Sequence, residues 1–381
     1  YALMETDLKR VLAYSTIENV GIVFIAAGLA LAFKAGGHAD AAALAMTAAL
    51  FHCLNHMLFK STLFFGAGAV IVATGEQDME RLGGLIRRMP LSSAAFLAAC
   101  MAISALPPFN GFASEWLLLQ SILVSPQLAQ MGLKLLVPAI GALLALAAAF
   151  AAACFIRAFG ATYLGRARTQ ASARAAETDR WSLAAMLVCA ALCLLAGVLP
   201  GFVIDWFEPA VWALVAGHMP PQAGIAWLSI IPVSASRSSY NGLLLFGFVA
   251  ACAGLAAVAV HRFASRAVRT APFWDCGYPR LSARAQYSAT SLAQPIRRVF
   301  ASVVFGSREE IRMPPPGSTQ PATLRRFLRD PAWDFIYTPL VRAVSASATR
   351  LNRVQFFTIR RYLSLVFATL VVLLMVLALW G

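Results

Sequence analysis

The chain has 381 residues, of which 60% are hydrophobic and only 13% are charged, and its mean hydropathy is +0.72. This composition excludes a soluble globular protein and is typical of an integral membrane protein, because the long apolar runs can cross a bilayer. The net charge of +14 comes without an aromatic and basic module, so we do not predict nucleic-acid binding. Because the sequence begins with Tyr1 inside what reads as a continuing segment, we expect it to be part of a longer protein.

The apolar runs predict an all-α polytopic fold with about seven membrane spans. Lys9, Arg10 and nearly all the arginines fall on one side of these spans, whereas the other side has only Lys34, Lys134 and Arg237. By the positive-inside rule the arginine-rich side is cytoplasmic and the C-terminus faces outward. The predicted spans are 8–32, 40–73, 92–124, 134–158, 181–205, 240–262 and 362–380.

The first span is entered from the basic side through TDLKRVLAYSTIENVG, residues 6–21. Thr6 is the predicted helix cap, and Lys9 is expected at the membrane interface. Glu18 then lies about 16 Å deeper than the start of the helix. A carboxyl group at that depth needs a partner or a proton, which makes Glu18 a candidate for a proton path. Alternatively, Glu18 hydrogen-bonds Asn19 or nearby backbone and has a structural role.

The second span carries His52, His56 and Lys60 at steps of four residues. On an α-helix these side chains share one stripe about 12 Å long. Ionisable residues at bilayer depth are costly, and their usual role is in an ion or proton path. The alternative is a polar seam that only joins neighbouring helices. A zinc site is disfavoured because Lys60 would repel the cation and no carboxylate completes the ligand set.

The third span is predicted to be broken at Pro107, Pro108 and Gly111, because prolines remove backbone donors and glycine loosens the backbone. A break at membrane depth is tolerated where it is buried in protein or lines a wet cavity. Glu115 follows one turn later, and a half-helix end beside an ionisable group is a recurring device of transporters. A simple kink without function is the alternative.

The remaining spans have almost no ionisable residues at depth, and residues 207–234 are interpreted as two interfacial or re-entrant pieces. Residues 321–361 combine arginines with apolar side chains, which predicts an amphipathic helix along the cytoplasmic surface, kinked at Pro331 and Pro339. The seven cysteines are expected to be packing residues rather than disulfides or cluster ligands.

Three stretches resemble the antiporter-like membrane subunits of respiratory complex I, Mrp antiporters and membrane-bound hydrogenases. They are TDLKRVLAYSTIENVG, HCLNHMLFKSTLFFGAG and LPPFNGFASEWLL, and they occur in the family's order at close to its spacing within residues 1–125. Glu18, the acidic Glu115 where many relatives carry lysine, and the tail FWDCGYPRLSARAQYSATSLAQP are most similar to the hydrogenase-4 component B and formate hydrogenlyase branch.

The resemblance implies a core of fourteen helices in two inverted repeats, each with a broken helix, followed by extra C-terminal helices. This chain would hold most of the second repeat and the extension. It implies that Lys60 is the central lysine, that His52 and His56 lead to it, and that Glu115 is the terminal residue after the break. Residues 321–361 resemble the lateral helix of some members, and the first-repeat glutamate and lysine would lie upstream.

We therefore predict a proton-translocating subunit of a multi-subunit redox complex in the bacterial inner membrane, with a relay of Lys60, His52, His56, Glu115, Glu18 and Lys9. Its partners would be other membrane subunits and a peripheral hydrogenase-like arm. No residue pattern binds a nickel-iron centre, flavin or quinone, so we expect no cofactor and no redox catalysis in this chain. A sodium/proton antiporter subunit and a scaffold with an inactive channel are the alternatives. The predicted regions are 1–158 (channel core), 159–262 (additional helices), 263–361 (basic loop with lateral segment) and 362–381 (anchor).

Overall fold

A computed structural model describes residues 1–233, 239–265, 282–283, 285–300, 306–352 and 358–380. The chain divides into two units, Tyr1–Pro295 and Ile296–Gly381. The division into four regions that we predicted from the sequence stays a prediction. Of the seven cysteines, Cys276 lies outside the described residues.

The first unit is built from helices. They are α1 (Leu8–Ala35), α2 (Ala39–Thr74), α3 (Pro90–Ile103), α4 (Asn110–Val124), α5 (Met131–Tyr163), α6 (Gln170–Arg174), α7 (Arg180–Val198), α8 (Pro200–Val215), α9 (Gly242–Phe263) and the beginning of α10 (Ala289–Phe300). By length and composition, α1, α2, α5, α7 and α9 can each cross a membrane, as can α12 (Ile359–Trp380) of the second unit. The polytopic helical fold expected from the sequence is confirmed.

Local capping defines several helix ends. The Asp7 carboxylate, rather than Thr6, accepts the backbone N–H of Arg10 at 2.9 Å and caps α1. Asp179 caps α7 by accepting the backbone N–H groups of Trp181 and Ser182. Hydrogen bonds from Ser182 lower the pKa of Asp179, because they stabilise its charged form.

Helix α2 is the centre of the first unit and packs against α1, α3, α4, α7 and α8. Apolar side chains of α1, α2, α4 and α8 form one buried cluster that includes Phe33, Phe51 and Leu117. Because α2 is surrounded on several sides, its polar stripe lies inside protein. By contrast, no residue of the apolar window of α9 is buried within the chain.

The third predicted span is two helices, α3 and α4, separated by residues 104–109. Pro107 and Pro108 lie in this connection, whereas Gly111 is helical in the first turn of α4. A side chain at Gly111 would collide with the Ala102 carbonyl oxygen of α3. Gly111 is therefore needed for the close approach of the two half-helices and does not itself interrupt the helix.

The fifth predicted span is also divided, because α7 ends at Val198 and α8 begins at Pro200. Helix α8 buries Ile204, Val211 and Val215 against the core. The first of the two pieces that we interpreted as interfacial within 207–234 is therefore the second half of α8. The second piece forms a short 3-10 turn, Ala226–Leu228, and a bridge from Ile230 to Tyr240.

The end of the tail motif packs on the basic loops of the first unit. Gln286 exchanges side-chain hydrogen bonds with the backbone N–H and carbonyl of Arg166, each at 2.9 Å. Arg168 donates to the Tyr287 carbonyl, and the Glu80 carboxylate accepts the Thr290 backbone N–H. Burial lowers the pKa of Arg168. The part of the motif over residues 273–281 lies outside the described residues.

The second unit contains a hairpin and two helices. Strand β1 (Arg308–Arg312) pairs antiparallel with β2 (Thr323–Phe327), with Arg308 opposite Phe327. A π-helical turn over Trp333–Tyr337 leads into α11 (Thr338–Asn352). The expected amphipathic helix over 321–361 is therefore shorter, because residues 323–327 pair as a strand. The π-helical turn ends two residues before Pro339, which cannot donate a regular helical hydrogen bond.

Candidate functional site

The stripe predicted on the second span lies where α2 meets α1 and α4. His52 is 1% exposed and Lys60 is 6% exposed, whereas His56 is half-buried. The three side chains follow one face of α2, as their spacing requires. Two of the three are therefore enclosed within this chain alone.

The Lys60 ammonium group binds to α1 through uncharged acceptors. Nζ donates to the Leu12 carbonyl oxygen and to the Ser15 hydroxyl, both at 2.5 Å. The Phe64 ring centroid lies 5.9 Å from Nζ. Among the described residues, no carboxylate oxygen lies within 4.0 Å of this ammonium group. A proton on Lys60 is thus held by neutral groups and is not locked in an ion pair.

The His52 ring connects α1 to α4. Nε2 lies 3.2 Å from Asn19 Oδ1 on α1, and Nδ1 lies 3.0 Å from Ser114 Oγ on α4. Asn19 also donates from Nδ2 to the Ser15 carbonyl at 2.8 Å. The Ser15 hydroxyl also accepts the hydrogen bond from Lys60 Nζ. Lys60 and His52 therefore belong to one hydrogen-bonded group.

Asn55 connects this group to the helix break. Its Nδ2 donates to the Asn110 carbonyl at 2.8 Å and to Ser114 Oγ at 2.9 Å. The Ser114 hydroxyl also lies 3.1 Å from the Gly111 carbonyl. Asn55 Oδ1 is buried without a hydrogen-bond partner among the described residues. The start of α4 is therefore held on α2 by polar side chains at the break itself.

The sequence reasoning missed Asn19, Asn55 and Ser114 as members of the site. A partial signal was present, because Asn19 adjoins Glu18, Ser114 adjoins Glu115, and Asn55 lies on the stripe between the two histidines. Amides and hydroxyls in apolar spans are, however, also common as simple helix contacts. Only the packing of three helices brings these side chains together.

Glu18 and Glu115 are half-buried and flank the hydrogen-bonded group on α1 and α4. Glu18 and Lys60 attract each other when both are charged, and Glu18 and Glu115 repel each other when both are ionised. Asn19 binds His52 and the Ser15 backbone, and the structural role that the alternative gives to Glu18, with Asn19 or nearby backbone as its partner, stays a prediction. Two carboxyl groups and a lysine thus influence one another around His52.

His56 and Lys9 are placed differently from His52. The His56 and Phe59 rings form a T-shaped pair with centroids 5.7 Å apart, and His56 Nε2 is buried without a hydrogen-bond partner among the described residues. Lys9 is exposed in the first turn of α1, about two and a half helical turns from Glu18 by the helical rise. The structure therefore brings Lys9 to the surface and not into the buried group.

Arg157 is a buried cation near the end of the predicted span 134–158, and the sequence analysis did not select it as a site residue. It lies inside α5, is 1% exposed, and donates from Nη2 to the carbonyls of Ala2 and Glu5 at 3.0 and 2.7 Å. The apolar residues on both sides of it in the sequence could have indicated its burial. Arg157 ties α5 to the segment that leads into α1.

The described residues contain no group of three or more His, Cys, Asp and Glu side chains that could hold a metal ion. Their six cysteines carry free thiols. The site itself is composed of amine, imidazole, carboxyl, amide and hydroxyl groups, of which the first three can bind and release protons.

Comparison with known proteins gives a family match in the region of this site. A family model described as NADH:quinone oxidoreductase/Mrp antiporter, TM, matches residues 1–141. Hydrogenase-4 component B of Escherichia coli (strain K12) is 34% identical over 385 residues, covering 99% of this chain and 56% of the relative. Formate hydrogenlyase subunit 3 of the same organism is 34% identical over 304 residues, covering 80% of this chain and 47% of the relative.

A solved structure supports the same fold over nearly the whole chain. A chain of the membrane-bound sulfane sulfur reductase, an archaeal respiratory membrane complex, superposes with a TM-score of 0.64 at 22% identity. The match covers 98% of this chain and 53% of that chain. This chain spans about half the length of the curated relatives it matches. Residues 1–141 thus match the NADH:quinone oxidoreductase/Mrp antiporter transmembrane family model, and the chain as a whole is a multi-pass membrane protein that is similar to hydrogenase-4 component B.

Proposed function

We propose that this chain is the proton-translocating part of a membrane subunit in a multi-subunit redox complex of the hydrogenase-4 or formate hydrogenlyase type. The observation that carries the proposal is the buried contact of Lys60 and His52 with α1 and with the broken helix, flanked by Glu18 and Glu115. A series of ionisable side chains inside membrane spans is typical of a proton relay.

In the proposed relay, each charge biases the protonation of the next group. Electron transfer in a partner subunit changes the charge or hydration near the membrane chain, and Lys60 passes its proton toward Glu115. His52 is hydrogen-bonded to Ser114, the residue before Glu115, and is connected to Lys60 through Asn19 and Ser15. Glu115 releases the proton outward. The redox chemistry belongs to partner subunits, namely other membrane subunits and a peripheral hydrogenase-like arm.

The proposed orientation follows the basic residues. The arginine-rich loops face the cytoplasm of a bacterial cell and the C-terminus faces outward across the inner membrane. In this orientation the tail motif around Gln286 lies on the cytoplasmic side, where it holds the loop containing Arg166. The exposed α11 is suited to lie along neighbouring membrane subunits.

Proton uptake by inverted membrane vesicles that carry the assembled complex tests this function, with electron-transfer activity recorded in parallel. For Lys60→Ala we expect redox activity to persist while proton uptake falls at least about tenfold. This is a lower bound, because a positioned proton-transfer group typically contributes about a hundredfold or more to a rate. The matched control is Lys134→Ala, since Lys134 is an exposed lysine on α5. If uptake and redox activity are both unchanged in Lys60→Ala, the stripe is structural and the scaffold alternative holds.

A sodium/proton antiporter subunit is the second candidate, because the matching family model also describes Mrp antiporters. It uses the same buried lysine and carboxyl groups. Strict dependence of proton movement on sodium in the same vesicles would favour it, whereas uptake that follows electron transfer without sodium would favour the redox complex.

A further inference from the structure

The hydrogen bonds around His52 determine which ring nitrogen carries the proton. Asn19 Nδ2 donates to the Ser15 carbonyl, which can only accept, so Asn19 directs its carbonyl oxygen Oδ1 at the ring. Oδ1 can only accept, and therefore His52 Nε2 must donate. In the neutral ring Nδ1 is then an acceptor, and the hydrogen that it receives comes from the Ser114 hydroxyl at 3.0 Å.

Ser114 has a second place to direct its hydrogen. Asn55 Nδ2 donates into one lone pair of Ser114 Oγ at 2.9 Å in either case. The Ser114 hydroxyl hydrogen can turn from His52 Nδ1 to the Gly111 carbonyl, 3.1 Å away on its own helix. Oγ then has a free lone pair that faces the ring.

We propose that Asn19 and Ser114 are positioning residues of the relay, and that the Ser114 hydroxyl turns between His52 and Gly111 as His52 gains and loses a proton. With the ring neutral, Ser114 donates to Nδ1. With the ring charged, Nδ1–H donates to Ser114 Oγ and Ser114 donates to Gly111. Both ring nitrogens of His52 and the Ser114 hydroxyl therefore have a partner in both states, and no heavy atom has to move.

The step is balanced in protons. The relay group before His52, the Lys60 ammonium or a protonated carboxyl, loses one proton as the Nδ1–H bond forms, and the next group later takes that proton. Ser114 has one hydrogen before and after. The titratable groups around the ring are His56 on α2, Glu18 beside Asn19 on α1, and Glu115 beside Ser114 on α4.

This inference rests on the proposed function for its role in transport, but its geometry can be measured separately. The probe is solid-state nitrogen-15 NMR of the full complex with labelled histidine, and the His52→Gln difference spectrum assigns the His52 signals. In the parent we expect a protonated Nε2 and an unprotonated, hydrogen-bonded Nδ1. A neutral His52 that carries its hydrogen on Nδ1 would overturn the inference without any reference to transport.

Substitutions at Ser114 test the turning hydroxyl. Ser114→Ala should remove the hydrogen-bond shift of the Nδ1 signal, and Ser114→Thr should restore it, because threonine keeps the hydroxyl. We expect Ser114→Ala to lower proton uptake about tenfold, since a buried acceptor without its donor costs about that factor in an equilibrium. Ser121→Ala is the matched control, because Ser121 is fully buried on the same helix and, within the part of the chain that the structure describes, its hydroxyl bonds only the Leu117 carbonyl.

The outcomes separate the two proposals. If Lys60→Ala lowers uptake while the Nδ1 signal and uptake are the same in the parent, Ser114→Ala and Ser121→Ala, the inference is wrong and the relay stands. If the Nδ1 signal responds to Ser114→Ala and returns in Ser114→Thr, but Lys60→Ala leaves uptake unchanged, the positioning holds and the proposed transport function fails.

Discussion

Gly197→Ala tests the packing of α7 against the broken helix. A side chain at Gly197 would collide with the Pro108 carbonyl oxygen and with the backbone of Phe109 and Asn110. All of these atoms are backbone, so no rotamer change relieves the collision. The substitution should therefore separate α7 from the break that carries the start of α4.

The magnitude follows from two opposing effects. Overpacking a tight site costs typically about 1–3 kcal/mol, and the rigid backbone at this site places Gly197→Ala at the upper end. Replacing glycine by alanine in a helix returns about 0.5–1 kcal/mol. We expect a net destabilisation of about 2 kcal/mol, which is about a 30-fold change in the packing equilibrium. Gly160→Ala on α5 meets no atom within 4 Å and should be neutral or stabilising.

Cys193 provides a local assay, because it lies one turn before Gly197 and is completely buried. We expect a thiol-reactive dye to label Cys193 faster in Gly197→Ala than in the parent, and the complex to unfold at a lower temperature. Gly160→Ala should label Cys193 at the parent rate. Equal labelling and equal thermal stability of Gly197→Ala and the parent would refute the packing argument.

Two further predictions concern groups outside the relay. Arg157→Met should release residues 2–5, because the carbonyls of Ala2 and Glu5 each lose their hydrogen-bond donor. Leaving a hydrogen-bonding group without its partner costs about 1–3 kcal/mol. Faster proteolysis at the N-terminal segment would reveal this, and parent-like cleavage would contradict it. For Asp179, the folded-state pKa is lowered, so its cap stabilises α7 at neutral pH and is lost as the pH falls through that folded value. The protection factors of the amides in the first turn of α7, which correct for the intrinsic exchange rate at each pH, should therefore fall in acid in the parent, whereas in Asp179→Asn, whose cap carries no charge, they should not follow this pH dependence.

The sequence alone determined the class of the protein and the position of its main polar features. Span length and a four-residue spacing are local properties, so the stripe of His52, His56 and Lys60 and the break at Pro107 and Pro108 were predictable. The capping of α1 by Asp7 instead of Thr6 was a local choice between adjacent cap-forming residues, and either was compatible with the sequence.

The tertiary structure decided which groups meet the stripe. Asn19, Asn55 and Ser114 lie on three helices, and only the packing of those helices gives His52 a partner on each ring nitrogen. Whether a glycine breaks a helix or allows another backbone to approach likewise depends on what lies opposite, as at Gly111 and Gly197. A hydrogen-bond partner distant in sequence is specified by packing, which no local pattern encodes.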